Sequence, residues 1–247
     1  LTLLWDALRI RKLQEDHVKV SETLKNIGNV HREKKELDLA VECYEECLRI
    51  RRSELGPDHE KVADALIAMG NVQSDMERND EAMRSYQEAL KIRTLVFGEH
   101  DESVAAVLQY MGTMEFRANN HDKARDLLTE FIRIRRDNDT KNDGDYVNVL
   151  FMIGNIHKMQ SREDEAQACW SEAYQVFQEL GLAETNPQIA KVMSHLLNLD
   201  EQKEDTEQKK KGKGGSMFGK VTEKFKGNLK EEKSAKKKAR KGKGIQL

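Results

Sequence analysis

Ile27-Gly28-Asn29-Val30 returns three times at one distance, as Met69-Gly70-Asn71-Val72, Met111-Gly112-Thr113-Met114 and Ile153-Gly154-Asn155-Ile156. The four glycines are spaced 42 residues apart. Twelve residues after each comes an alanine (Ala40, Ala82, Ala124, Ala166), and two before each alanine an aspartate (Asp38, Asp80, Asp122, Asp164). A fixed period of this size, with small residues in register, marks a stack of repeated supersecondary units.

Within a unit the apolar positions fall at helical steps: Val62, Leu66 and Met69, then Ala82, Tyr86, Ala89 and Leu90. Each unit is therefore two amphipathic helices, A and B, joined by a polar turn such as Glu77-Arg78-Asn79-Asp80. A helix-interior glycine costs about 1 kcal/mol against alanine. Four in register predict close approach of B onto A, with Ala40, Ala82, Ala124 and Ala166 filling the facing holes of Gly28, Gly70, Gly112 and Gly154. The aspartates fall in the first turn of B, where the helix dipole favours a negative charge. The expectation is an all-α helical-hairpin solenoid with A helices near 18–33, 60–76, 102–117 and 144–159. The B helices follow near 37–53, 79–95, 121–136 and 163–179.

The ends depart from the period. Residues 1–14 read as a lone B helix, because Ala7-Leu8-Arg9-Ile10-Arg11 repeats Cys47-Leu48-Arg49-Ile50-Arg51; the chain is expected to be a piece of something longer. Gly56 and Gly98 suit left-handed caps after B helices. Residues 137–145 read as an irregular acidic linker. A capping helix is expected at 186–202, closing a solenoid domain of residues 1–202. Residues 203–247 form a lysine-rich, low-complexity tail expected to be disordered.

Charge divides along the same boundary. The tail holds 16 Lys/Arg against 6 Asp/Glu, whereas residues 1–202 hold 26 against 38. An acidic body with a basic tail suggests two modules. Phe218, Val221, Phe225 and Leu229 recur at helical steps among the lysines, so an anionic surface or nucleic acid is a candidate tail partner. Lys236 to Lys241 would suit nuclear import, although the cytoplasm is the first expectation. Three scattered cysteines suit a reducing compartment. Cys43 and Cys47 have ligand-compatible spacing, but Cys47 stands at a small core position, so no metal is expected. No apolar run approaches the ~20 residues that span a bilayer. The seven histidines form no His-Glu-x-x-His, and the glycines of 212–219 lack a phosphate loop's strand–helix context. His17 and His59 occupy equivalent linkers and read as structural. Neither an enzyme nor a cofactor is expected.

Leu66, Met69, Gly70, Ala82, Tyr86 and Ala89, with their counterparts Leu24, Ile27, Gly28, Ala40, Tyr44 and Cys47, resemble the tetratricopeptide repeat. So do Leu108, Met111, Gly112, Ala124, Leu128 and Phe131, and Leu150, Ile153, Gly154, Ala166, Trp170 and Ala173. The family's tyrosine three residues after the glycine is replaced by His31, Gln73, Glu115 and His157. The 42-residue period, Ala89-Leu90-Lys91-Ile92-Arg93 and Leu55-Gly56-Pro57-Asp58-His59 are similar to the long repeats of kinesin light chains. The resemblance implies a right-handed solenoid acting as a non-enzymatic protein–protein interaction scaffold, with a motor complex and cargo among its partners. It also implies that A helices line a concave peptide groove, entered by Asn29, Asn71, Thr113 and Asn155. Lys25, Arg32, Ile67, Ser74, Gln109, Phe116, Phe151 and Lys158 would be their groove neighbours. An amide can donate to and accept from a peptide at once; the alternative is that these amides bond locally. Lys25 and Asn29 begin the family's clamp for C-terminal carboxylates, but Ala68, Ala106 and Tyr110 do not complete it.

Overall fold

The computed structural model describes residues 2–14, 16–140 and 143–180, and all regular structure among them is helical. The expected capping helix and basic tail lie outside the described residues. The helices are α1 (Thr2–Leu13), α2 (His17–Glu33), α3 (Leu37–Leu55), α4 (Glu60–Asp75), α5 (Asn79–Phe97), α6 (Glu102–Arg117), α7 (His121–Asp137), α8 (Gly144–Met159) and α9 (Glu163–Glu179). Helices α2/α3, α4/α5, α6/α7 and α8/α9 form antiparallel hairpins, each stacked on the next, with α1 packed on α2. This is the expected all-α, right-handed solenoid.

The glycines do allow close approach, but the residue they admit is not the alanine. A Cβ added to Gly28 would come within 2.7 Å of the Tyr44 ring, one on Gly70 within 2.6 Å of Tyr86, and one on Gly112 within 2.6 Å of Leu128. On Gly154 it would strike Trp170. The alanines four residues earlier are fully buried, yet a bulky residue fills each glycine's space. The physical reason is volume: a glycine removes a side chain's width, and a close-packed interior fills that with a bulky side chain, a ring in three units and Leu128 in the third.

The A-to-B turns repeat in backbone as well. Lys35, Glu77, Asn119 and Ser161 all have φ between 58° and 63°. Glu77 N–H donates to the Ser74 carbonyl (3.1 Å) and Arg78 N–H to the Gln73 carbonyl (2.9 Å), with the same pair of bonds in the other three turns. That is the Schellman closure, made here with non-glycine residues in the left-handed region. B helices α3 and α5 end instead at Gly56 (φ 89°, ψ 159°) and Gly98 (φ 90°, ψ 163°): the positive φ that glycine supplies is there, but the extended ψ is not that of the left-handed cap expected from sequence. The aspartates stand in the first turns of the B helices.

Arginines stitch several of the hairpins to their neighbours. Arg51, 3% exposed, donates to Ser21 Oγ (3.2 Å) and to the Lys61 carbonyl at the start of α4. Arg11 makes the matching bond to the Lys19 carbonyl (3.1 Å). Arg135 ties the linker after α7, reaching the Thr140 carbonyl (2.8 Å), Glu102 (3.0 Å) and Asp143. His59 accepts from Lys61 N–H (3.1 Å) as the N-cap of α4, the structural role its position suggested.

Candidate binding groove

Asn71 lies one residue past Gly70, so it stands at the edge of the A-helix face rather than under α5. There its Oδ1 accepts a hydrogen bond from the Tyr86 hydroxyl (2.7 Å). Asn29 does the same for Tyr44 (2.7 Å). Burial pushes the Tyr44 phenol up to about 12 and the Tyr86 phenol higher still, so both remain donors at neutral pH. The amides therefore bond locally through their oxygens, while their NH₂ groups stay available.

The third unit breaks this pattern. Leu128 replaces the tyrosine and Thr113 the asparagine, so the hairpin has no such bond. Beside it lies a groove of about 280 Å³ between α2, α4 and α6, lined by Arg32, Asn71, Ser74, Asp75, Tyr86, Gln109, Tyr110, Thr113, Met114 and Arg117. Tyr110, 38% exposed, lies flat on the Tyr86 ring with centroids 5.7 Å apart and planes 11° apart. Arg32 Nε is 2.6 Å from Asp75, an ion pair joining the first two hairpins across the groove edge. Among the described residues the Arg117 guanidinium, the Tyr110 and Thr113 hydroxyls and the Gln109 amide have no hydrogen-bond or ion-pair partner. The groove thus offers an aromatic platform ringed by unspent polar groups, mostly donors.

Of the residues named from sequence, Arg32, Asn71, Ser74, Gln109 and Thr113 meet in this groove, and Asn29 lines an adjoining recess with Arg32 and Asp75. Ile67 instead packs against the apolar core. Phe151 and Lys158 gather on Trp170: the Phe151 ring lies 6.4 Å away and Lys158 Nζ 5.8 Å. Phe116 packs against His121 (5.8 Å). Lys25 and Asn155 lie outside the groove lining. Tyr110 and Arg117 were missed; the only signal was an aromatic at 110 where the other units carry Asn26, Ala68 and Met152.

The missing family tyrosines are replaced by polar links to helix B. His31 Nδ1 meets Glu36 Oε2 (2.5 Å), Gln73 Oε1 accepts from Ser85 (2.7 Å), and Glu115 accepts from Asn120 (2.7 Å). His157 Nδ1 is buried without a hydrogen bond, and burial holds its imidazole below the usual value. Burial likewise raises the Cys43 and Cys47 thiols, which keeps them protonated and unreactive. Among the described residues no cluster of three His, Cys, Asp or Glu could hold a metal, and no helix is long and apolar enough to cross a membrane.

A tetratricopeptide-repeat family model matches residues 19–94 and 74–137. No curated protein matches the sequence. Among solved structures, a Podosopora anserina protein described as a kinesin light chain with nearly identical TPR-like repeats superposes with a TM-score of 0.64 at 12% identity, over 78% of this chain and 92% of that one. BtubC (BKLC) from P. vanneervenii gives 0.61 at 20% identity, over 68% and 67%. Aspartyl phosphate phosphatase F from Bacillus subtilis gives 0.65 at 13% identity, over 75% of this chain but only 48% of that one. These likenesses are of fold. Taken with the repeat register and the stacked hairpins, the family match identifies residues 19–137 as tetratricopeptide repeats.

Proposed function

We propose that the chain is an interaction scaffold that holds an extended segment of a partner protein in the groove around Tyr110. The observation that carries this reading is the third unit's missing internal bond, beside which the aromatic platform and the unspent donors of Asn71, Tyr110, Thr113 and Arg117 converge. A peptide backbone presents carbonyl acceptors, which those donors match, and an apolar side chain can lie on the exposed Tyr110 face. Rigid aromatics of this kind serve as anchors because they lose little conformational entropy on binding. The role of adaptor in a motor complex rests on fold likeness alone, and no described residue adds to it.

The test is selection of a random peptide library on the whole chain, followed by titration of recovered peptides against variants. Tyr110→Ala should weaken binding by about tenfold or more, as loss of an anchor does, and Arg117→Ala should weaken it less. Selected peptides that bind both variants as tightly as the native chain would move the site elsewhere.

A further inference from the structure

The groove around Tyr110 is one-sided in its hydrogen bonding. Its two best acceptors are already engaged, Asn71 Oδ1 by the Tyr86 hydroxyl (2.7 Å) and Asp75 by the Arg32 guanidinium (2.6 Å). Among the described residues, the NH₂ of Asn71, the Arg117 guanidinium and the hydroxyls of Ser74, Tyr110 and Thr113 stay open. Gln109 is the one lining side chain that still offers an amide oxygen. An ordinary extended peptide brings an N–H with every C=O, and this groove has little to give the N–H groups. Proline brings a C=O and no N–H. Its ring also suits the platform, because Tyr110 lies flat on Tyr86 and keeps its other face exposed. Charge offers less: Asp75 neutralises Arg32, which leaves Arg117 as the lining cation without an ion pair.

Resting on the groove reading above and extending it, we propose that the partner segment is proline-rich and lies across the A helices as a polyproline II helix. Such a helix turns once in three residues and advances about 9.3 Å per turn. Packed α-helices sit about 8–10 Å apart, so ligand turn and solenoid layer keep step. Helices α2 and α4 pack on one another, and each carries an asparagine whose oxygen is held by its own tyrosine, Asn29 on α2 and Asn71 on α4. Ligand carbonyls three residues apart therefore meet the NH₂ groups of Asn29 and Asn71, and a proline one turn further on rests on Tyr110 of α6. The segment arrives with its conformation already set, so little ordering entropy is lost on binding.

Fluorescence anisotropy of labelled peptides of about nine residues, three polyproline turns, titrated with the 247-residue chain, tests this. The probes are an oligoproline and two peptides of the same length, one of alanine and glycine and one of alanine and glutamate. The oligoproline should bind about tenfold tighter than either, and Tyr110→Ala should abolish that preference. Tyr110→Phe, which keeps the ring, should retain it. Asn71→Asp keeps the oxygen that accepts from Tyr86 but loses the NH₂ group, and should weaken oligoproline binding about fivefold, the worth of one hydrogen bond. Circular dichroism melts matching the native chain confirm that each variant is folded. Equal binding of the oligoproline and the alanine–glycine peptide, or tighter binding of the alanine–glutamate peptide, overturns the proline assignment. If that binding still falls with Tyr110→Ala, the groove reading itself stands. Oligoproline binding indifferent to Tyr110→Ala overturns both.

Discussion

Gly70 illustrates what one missing methyl group does here. A Cβ at that position would lie 2.6 Å from the buried Tyr86 ring, which cannot withdraw without giving up its bond to Asn71. Gly70→Ala should therefore destabilise by about 1–3 kcal/mol. Gly112→Ala should cost less, because Leu128 can rotate where a ring cannot; denaturant midpoints of the two variants check the order. The glycines were legible from spacing alone, since four helix-breaking residues in register demand a packing reason. Their true partner was not, because alanine and the bulky residue recur with the same 42-residue period, and periodicity cannot say which of two co-repeating positions faces the glycine. The asparagines were half legible. Their hydrogen bond to tyrosine means that Asn71→Ala strands the Tyr86 hydroxyl and costs about 1 kcal/mol of stability, so it is not a clean test of binding. His157 carries a pH signature. Burial lowers its folded pKa below the unfolded value of about 6.5. Between those two values the unfolded chain binds more protons, so stability is complete above about pH 6.5 and falls as pH drops through the window. His157→Gln should flatten that fall, measured by denaturant midpoints on either side of it.

At the scale of elements, helix boundaries were read to within two residues because capping chemistry repeats with the period. The A-to-B turns were legible as turns but not in their backbone, since Lys35, Glu77 and Ser161 give no hint of a left-handed conformation that glycine usually supplies; only Asn119 is a residue that takes it readily. That strain is a reserve. Glu77→Gly should stabilise the chain by about 0.5–1 kcal/mol by relieving the Cβ clash, provided that the added freedom of the unfolded chain does not cancel it. A thermal melt unchanged or lowered by Glu77→Gly would mean that the side chain compensates for the strain locally. The closing arginines were visible only as a recurrent motif. Their partners are carbonyls and carboxylates of the paired A helix or of the start of the next hairpin, and no local pattern names a contact so distant in sequence.

At the scale of the described molecule, each hairpin packs mainly on its neighbours, so stability is approximately a sum of hairpin and interface contributions. Arg135 is where that chain of interfaces is most concentrated on a single side chain, for it alone joins Glu102, Thr140 and Asp143. Arg135→Ala should cost about 1 kcal/mol, the partial exposure of both carboxylates limiting the loss. It should also let the α8/α9 hairpin unfold before the rest, seen as hydrogen exchange in α8 that outpaces exchange in α4. Among the described residues the solenoid's helices and their pairing were legible, because a repeat array writes its architecture many times over. The groove was not, because a binding site is written once, where the third copy loses both members of the tyrosine–asparagine pair. Leu128 and Thr113 are that difference, and they make the site's position a matter of address. Giving the third unit the pair that the first two carry, Leu128→Tyr with Thr113→Asn, would close its ring of open valences. Giving the second unit the third unit's pair would open them one step along. A lineage of such arrays can thus shift its recognition point by whole repeats through two substitutions at a time, with the scaffold carried over unchanged.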